Sequence, residues 1–265
     1  MKAPALAVTL ALAAALPAAA QQTDVDLSKT LANPIGSLIS VPFQHNYDHN
    51  LGLDDAGQRL TVNAQPVVPI SVAPDWDVIS RTILPITWQQ GVVPGAGTQV
   101  GLGDTVQSLF LSPKETGDHG IIWGAGPVAL LPTATEDRLG SEKLGLGPTA
   151  VALTQSGPWT VGVLGNHIWS VAGASGRRDV NSSFVQPLVS YTTKGATTFS
   201  LTSEITYDWE RDQAAIPINA VINQLFSLGG QRMQVGAGLR YWVDAPEGGP
   251  EGFGARLNLV FLFPR

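Results

Sequence analysis

The stretch from Thr197 to Trp209, TTFSLTSEITYDW, admits few folds. Odd positions carry Phe199, Leu201, Ile205, Tyr207 and Trp209, and even positions carry Thr198, Ser200, Thr202, Glu204, Thr206 and Asp208. Only a backbone of period two separates these into an apolar and a polar face, so the stretch reads as a β-strand. Its length meets the roughly 9 to 11 residues that a tilted strand needs to cross a bilayer. A strand of a soluble sandwich carries the same pattern, and the rest of the chain decides between the two.

From Gly36 onward the pattern repeats in segments 36–50, 58–70, 76–88, 101–112, 120–132, 146–155, 159–171, 181–192, 197–209, 217–226, 231–243 and 253–263. Two kinds of connection alternate between them. Tight ones run from Ser71 to Asp75, Ser156 to Pro158, Thr193 to Ala196 and Ser227 to Gly230. Longer polar ones run from Gln89 to Val100, Thr133 to Gly145, Ala172 to Val180, Glu210 to Ile216 and Asp244 to Gly252. Short turns at one end, long loops at the other, an even strand count and both termini on the turn side predict an all-β, closed antiparallel transmembrane β-barrel of about 12 strands. Pro113 to His119 is long for a turn in this scheme. With 29 Gly and only 14% charged residues, the composition suits strands and turns rather than helices.

The N-terminus places the barrel. Lys2, an Ala/Leu run through Leu16, and Pro17 followed by small residues to Ala20 read as a secretory signal peptide over 1–20. An N-terminal periplasmic segment over 21–35 and a barrel over 36–265 follow, with the outer membrane as location. Asp24 to Ala32 predicts a short helix ending before Pro34, with Leu27 and Leu31 on one face, which serves as a periplasmic cap, a lumen plug or a loose tail. The absence of cysteine excludes disulfides and a lipidated N-terminal Cys. The net charge of -6 offers no basic surface for nucleic acid.

Tyr and Trp favour membrane interfaces, and they sort accordingly. Trp76, Trp159 and Tyr191 fall at the turn ends of their segments, while Tyr47, Trp88, Trp169, Tyr207, Trp209, Tyr241 and Trp242 fall at the loop ends. Against the barrel stand Pro42, Pro66, Pro69, Pro85, Pro127 and Pro187 inside predicted strands, because a closed wall has no edge to hide a missing N–H. Bulges or breaks near the rims are expected to accommodate them.

Several stretches carry a family resemblance: SLISVPFQ at 37–44, GLGDTVQSLF at 101–110, WGAGP at 123–127, LPTAT at 131–135, GPWT at 157–160, NHIWS at 166–170, QPLVSYTT at 186–193 and YDWE at 207–210. The chain resembles the outer-membrane barrel transporters associated with the phenol meta-cleavage degradation pathway, over nearly its whole mature length. That resemblance implies a β-barrel and a transport role. The last segment, with Phe253, Ala255, Leu257, Leu259, Phe261 and Phe263 on one face, is similar to the C-terminal strand that the barrel assembly machinery recognises, except that Pro264 and Arg265 follow it.

With the greasy positions facing lipid, Asn166, Gln186, Glu204, Asp208, Arg232, Arg240 and Arg256 turn inward, together with Ser170 and Asn258. The same logic turns Arg59, Asn63, Gln65 and Arg81 inward. An arginine facing lipid at mid-depth costs roughly 2–4 kcal/mol, so these side chains are expected to line the lumen and the path of a solute. Opposed by Glu204 and Asp208, with Asp104 joining them, the arginines make either a charged constriction or a set of pairs that fills the bore. No cofactor or metal is expected: on a strand His45 and His49 lie roughly 13 Å apart, and Asp54-Asp55 reads as a turn. No catalytic residue is assigned either, since a hydrolase pair on the outer wall needs Ser and His on one face, whereas His167 opposes both Ser170 and Asn166. Three readings follow: a passive channel or transporter for a small solute, for which the family resemblance implies a hydrophobic or aromatic character; a plugged structural or adhesion barrel; and an outer-membrane lipid hydrolase. Outer-membrane lipid, the solute and the assembly machinery are the expected partners.

Overall fold

In the computed structural model, which describes residues 23–117 and 120–263, the wall is one antiparallel sheet closed on itself. Its elements are β1 (Ile39–Leu51), β2 (Gly57–Ala64), β3 (Val67–Ala73), β4 (Trp76–Gln90), β5 (Thr98–Leu102), β6 (Thr105–Pro113), β7 (Ile121–Leu131), β8 (Lys143–Ser156), β9 (Trp159–Gly173), β10 (Asn181–Thr192), β11 (Thr197–Ser203), β12 (Ile205–Asp208), β13 (Gln213–Leu228), β14 (Gln231–Asp244) and β15 (Gly252–Phe263), preceded by the helix α1 (Asp24–Leu31). The pairs β2/β3, β5/β6 and β11/β12 are each one wall strand with a break, so the barrel has twelve. Closure is made by β15 on β1, with Val41 opposite Phe261 and Tyr47 opposite Ala255. The expected signal peptide over 1–20, Asp118, His119 and the terminal Pro264 and Arg265 lie outside the described residues.

The outer face is apolar, as a wall that meets lipid requires. Leu60, Ile86, Val161, Val163, Leu201, Ile222, Leu239 and Leu257 are exposed on it. At the turn end Trp159 stacks edge-on against Tyr191 at 5.0 Å, and Trp76 against Trp123 at 6.0 Å. At the loop end Tyr207 meets Trp209 at 4.7 Å and Tyr241 meets Phe253 at 4.8 Å. Trp242 departs from the expected girdle. It follows outward Tyr241, so the pleat turns it into the lumen, where its Nε1 donates to Asp48 at 2.8 Å. The loop after β12 is also shorter than expected, because Asp208 caps the turn through Glu210 N and Arg211 N and β13 begins already at Gln213.

The prolines are accommodated within the wall strands rather than at the rims. Each break lies beside a proline on the neighbouring strand that has no N–H to give. Gln65 and Pro66 interrupt β2/β3 beside Pro42, with Gln65 N donating to Pro42 O at 2.8 Å. Gly103 and Asp104 interrupt β5/β6 beside Pro85, and Gly103 N donates to Pro85 O at 2.8 Å. Glu204 interrupts β11/β12 where β10 carries Pro187 and β13 carries Pro217. Pro127 and Pro148 instead face each other across β7 and β8, and the ladders on their far sides skip there, from Ser108–Val128 to Leu111–Ala125 and from Leu146–Trp169 to Thr149–Asn166. Irregular backbone at membrane depth is tolerated where it lines a cavity, and all three breaks present a polar side chain away from lipid.

Pro148 follows Gly147, and the β8–β9 ladder skips from Leu146–Trp169 to Thr149–Asn166 at this point. A Cβ on Gly147 would sit 1.6 Å from the carbonyl oxygen of His167. Gly147→Ala therefore forces the two strands apart and is expected to cost roughly 1–3 kcal/mol or more. The check is the fraction of refolded protein that keeps the fast gel migration of an unheated barrel, which should fall well below that of the parent chain.

The helix α1 enters the barrel from the turn end. Thr23 caps it by accepting from Asp26 N at 3.2 Å, with Asp24 and Asp26 in the first turn, and Asn33 and Pro34 end it. Its apolar face packs on inward side chains: Leu27 contacts a cluster containing Ala196, Leu225, Val260 and Leu262. Ile35 joins a second cluster with Val67, Ile79, Phe110, Val151, Leu153 and Leu164. Ser28 Oγ donates to Ala196 O at 3.2 Å, Gln155 Nε2 donates to Lys29 O at 2.8 Å, and Arg232 pairs with Asp24. These contacts seat the segment in the turn-side mouth of the barrel.

Candidate functional site

Strands of period two put every second residue of the wall inside, and the loop-side half of the barrel collects the charges. On β15 the inward set is Gly254, Arg256, Asn258, Val260 and Leu262; on β14 it includes Gly238, Arg240 and Trp242; on β1 it includes Gln44, Asn46 and Asp48. Glu204, at the break of β11/β12, is the hub. Arg256 grips it with two parallel hydrogen bonds, Nη1 to Oε1 at 2.9 Å and Nη2 to Oε2 at 2.8 Å, and Arg240 Nη1 reaches Oε2 at 3.2 Å. Arg256 Nε also donates to Asn46 Oδ1 at 2.8 Å, and only 4% of its side chain is exposed. The Gln44 amide lies between Arg256, at 2.8 Å, and Gln65, at 3.0 Å.

The second carboxylate of this cage is Asp48. Its Oδ1 lies 3.2 Å from Arg240 Nε and accepts from Trp242, whose ring carries the Arg240 guanidinium 4.5 Å above it. Gly254, inward and opposite Arg240, makes this approach possible: a Cβ there would come within 3.0 Å of Asp48 Oδ1. Two further guanidiniums hold amides only. Arg59 Nε donates to Gln89 Oε1 at 2.8 Å, and Arg81 Nη2 donates to Gln65 Oε1 at 3.1 Å.

Other sequence-predicted residues lie elsewhere. Asp208 sits at the rim, paired with Arg211 at 3.0 Å, because the turn after β12 needs its carboxylate as a cap; Asp48 stands where Asp208 was expected. Asp104 does not join the network. It accepts from Ser141 N and Oγ, both at 2.6 Å, and from Ala134 N at 3.3 Å, so it pins the 132–142 loop onto the wall. Arg232 serves the helix, Asn166 sits on the inner face of β9 between Leu164 and Ile168, and Gln186 borders the cavity described next.

Between the cage and α1 lies a cavity of about 220 Å³. Glu204, Arg256, Gln65 and Arg81 line its loop-side wall, and Leu31, Leu38, Val67, Leu188, Val221 and Val260 line the rest together with Ser and Thr side chains. On the outer wall the structure makes a Ser–His pair that the single-strand argument missed, since the partner lies across the ladder. His167 Nδ1 is 2.8 Å from Ser183 Oγ, which also accepts from Trp209 Nε1 at 2.9 Å, while His167 Nε2 is buried with no partner among the described residues.

A closed twelve-strand wall, greasy outside and charged within, belted by aromatic rings at both ends, defines a β-barrel of the outer membrane. No family model and no curated protein sequence matches the chain. Among solved structures it is similar to an outer membrane channel from Pseudomonas putida F1, at 17% identity and a TM-score of 0.64 over 85% of this chain and 94% of that one, which is a likeness of fold. Outer membrane phospholipase A from Escherichia coli aligns at 10% identity and 0.46 over 85% and 96%, and the Salmonella typhi outer membrane phospholipase at 10% and 0.47 over 91% and 98%.

Proposed function

We propose that this barrel is a passive outer-membrane channel or transporter whose small solute passes from the loop end, through the Glu204 cage, into the cavity above α1. The observation that carries the reading is the inner wall: charged and amide side chains surround a cavity at mid-barrel, where a purely structural barrel of this width needs only apolar filling. The resemblance to transporters of the phenol meta-cleavage type supports an aromatic or hydrophobic solute. The alternating C-terminal strand β15 fits delivery by the barrel assembly machinery. A catalytic role is not favoured: His167 Nε2 has no orienting group among the described residues, and Asn166 points to the opposite face.

Refolded into planar bilayers, the protein is expected to give discrete current steps. Around the cage the four guanidiniums of Arg59, Arg81, Arg240 and Arg256 face the two carboxylates of Asp48 and Glu204. The reversal potential in a salt gradient should therefore report a preference for anions. No current together with no solute flux into vesicles would leave the plugged structural barrel in its place.

A further inference from the structure

Within the channel reading, on which this step rests, we infer that the cavity above α1 is a binding site for a small carboxylate with an apolar body, and that Arg81 is the residue that holds its charge. Both oxygens of Glu204 are occupied by Arg256 and Arg240, and Asp48 is occupied by Arg240 and Trp242. Arg81 borders the same cavity and, among the described residues, forms no ion pair; of its five N–H donors one reaches Gln65. A guanidinium away from bulk water with its fork open is a carboxylate receptor, since two parallel N–H donors match two carboxylate oxygens.

The rest of the cavity decides what the carboxylate is attached to. Val67 stands directly opposite Arg81 in the β3–β4 register, and Leu188 and Val260 continue the apolar lining toward α1. An inorganic anion would leave that lining unused, and a cation would meet the excess of arginine. The volume fits one ring: about 220 Å³ is present, whereas a cavity of roughly 150 Å³ already accommodates benzene. A neutral aromatic fills the apolar part but leaves Arg81 unanswered.

The experiment is calorimetric titration of the full mature barrel in detergent micelles with benzoate and with benzyl alcohol, the heat of each into empty micelles being subtracted. Benzoate is expected to bind the parent chain at least about tenfold more tightly than benzyl alcohol, and Arg81→Gln is expected to remove that advantage while leaving benzyl alcohol unchanged. Arg81→Lys, which keeps the charge but not the fork, should fall between. Equal affinity for the two ligands, or a benzoate affinity untouched by Arg81→Gln, overturns the site; so does the absence of benzoate binding. Should Arg81→Gln not fold, the benzoate to benzyl alcohol comparison on the parent chain still decides. Current without benzoate binding removes the site and leaves the channel standing, and Arg81-dependent binding without current does the reverse.

Discussion

A Glu204→Gln chain is expected to lose about 3–5 kcal/mol of stability, the cost of breaking a buried ion pair by removing one partner. Glu204 neutralises two guanidiniums, Arg256 through two bonds and Arg240 through one, and a glutamine keeps the shape of the carboxylate without its charge. The backbone makes this position weaker still. The break at Glu204 lies between Pro187 on β10 and Pro217 on β13, so the side-chain cage ties an interrupted stretch of wall to β14 and β15 across the bore. The measurement is the urea concentration at which the barrel, refolded in vesicles, loses its fast unheated gel migration. A double change, Glu204→Gln with Arg256→Gln, should recover part of the loss, because two partners removed together leave fewer uncompensated charges than one. An unchanged urea midpoint for Glu204→Gln would mean that lumen water, not the arginine cage, solvates this carboxylate. The same variant should raise the anion preference, since one of the two negative charges at the constriction is gone.

The architecture was legible because the sequence obeys one rule through most of its length. Phe199, Leu201 and Ile205 alternate with Thr198, Ser200 and Glu204, and a one-residue slip would send charges into lipid, so the facing of Arg240, Arg256 and Glu204 follows from parity alone. Parity also sorts Trp242 from Tyr241, and grouping both as girdle residues neglected it. What parity does not give is depth or partner. Asp208 shares the inward face with Glu204, yet it lies at the rim and serves the turn, while Asp48, eight strands' worth of sequence away, closes the cage from β1.

The prolines misled for a physical reason. Taken singly, each looks like a lost hydrogen bond to be hidden at a rim. Taken between neighbours, Pro42, Pro85 and Pro187 each face the interruption of the next strand, so the missing N–H and the missing ladder coincide. Gln65, Asp104 and Glu204 at those interruptions are all polar, and two of the three line the cavity. A lone sequence does not reveal which strand residues stand opposite each other, and the Ser183–His167 pair escaped notice for the same reason.

Deleting residues 23–33 is expected to raise the single-channel conductance by roughly several-fold, because a twelve-strand barrel is wider than the eight-strand kind whose side chains fill it. The helix α1 occupies the turn-side mouth, held by Ser28 on Ala196, Gln155 on Lys29 and Arg232 on Asp24. It is also the floor of the cavity, contributing Ser28 and Leu31, with Asn33 just beyond its end. Removing it exposes Leu225, Val260 and Leu262 to water, and loss of the buried Leu27 alone costs about 1.5–3 kcal/mol, so the urea midpoint should fall as the conductance rises. If the deletion prevents assembly, Leu27→Asp with Ile35→Asp loosens both clusters that seat the segment while keeping the chain at full length. A conductance that stays at the parent value would move the narrowest point to the Glu204 cage. In that case Glu204→Gln, not the deletion, should change the current, and the two variants together locate the barrier along the bore.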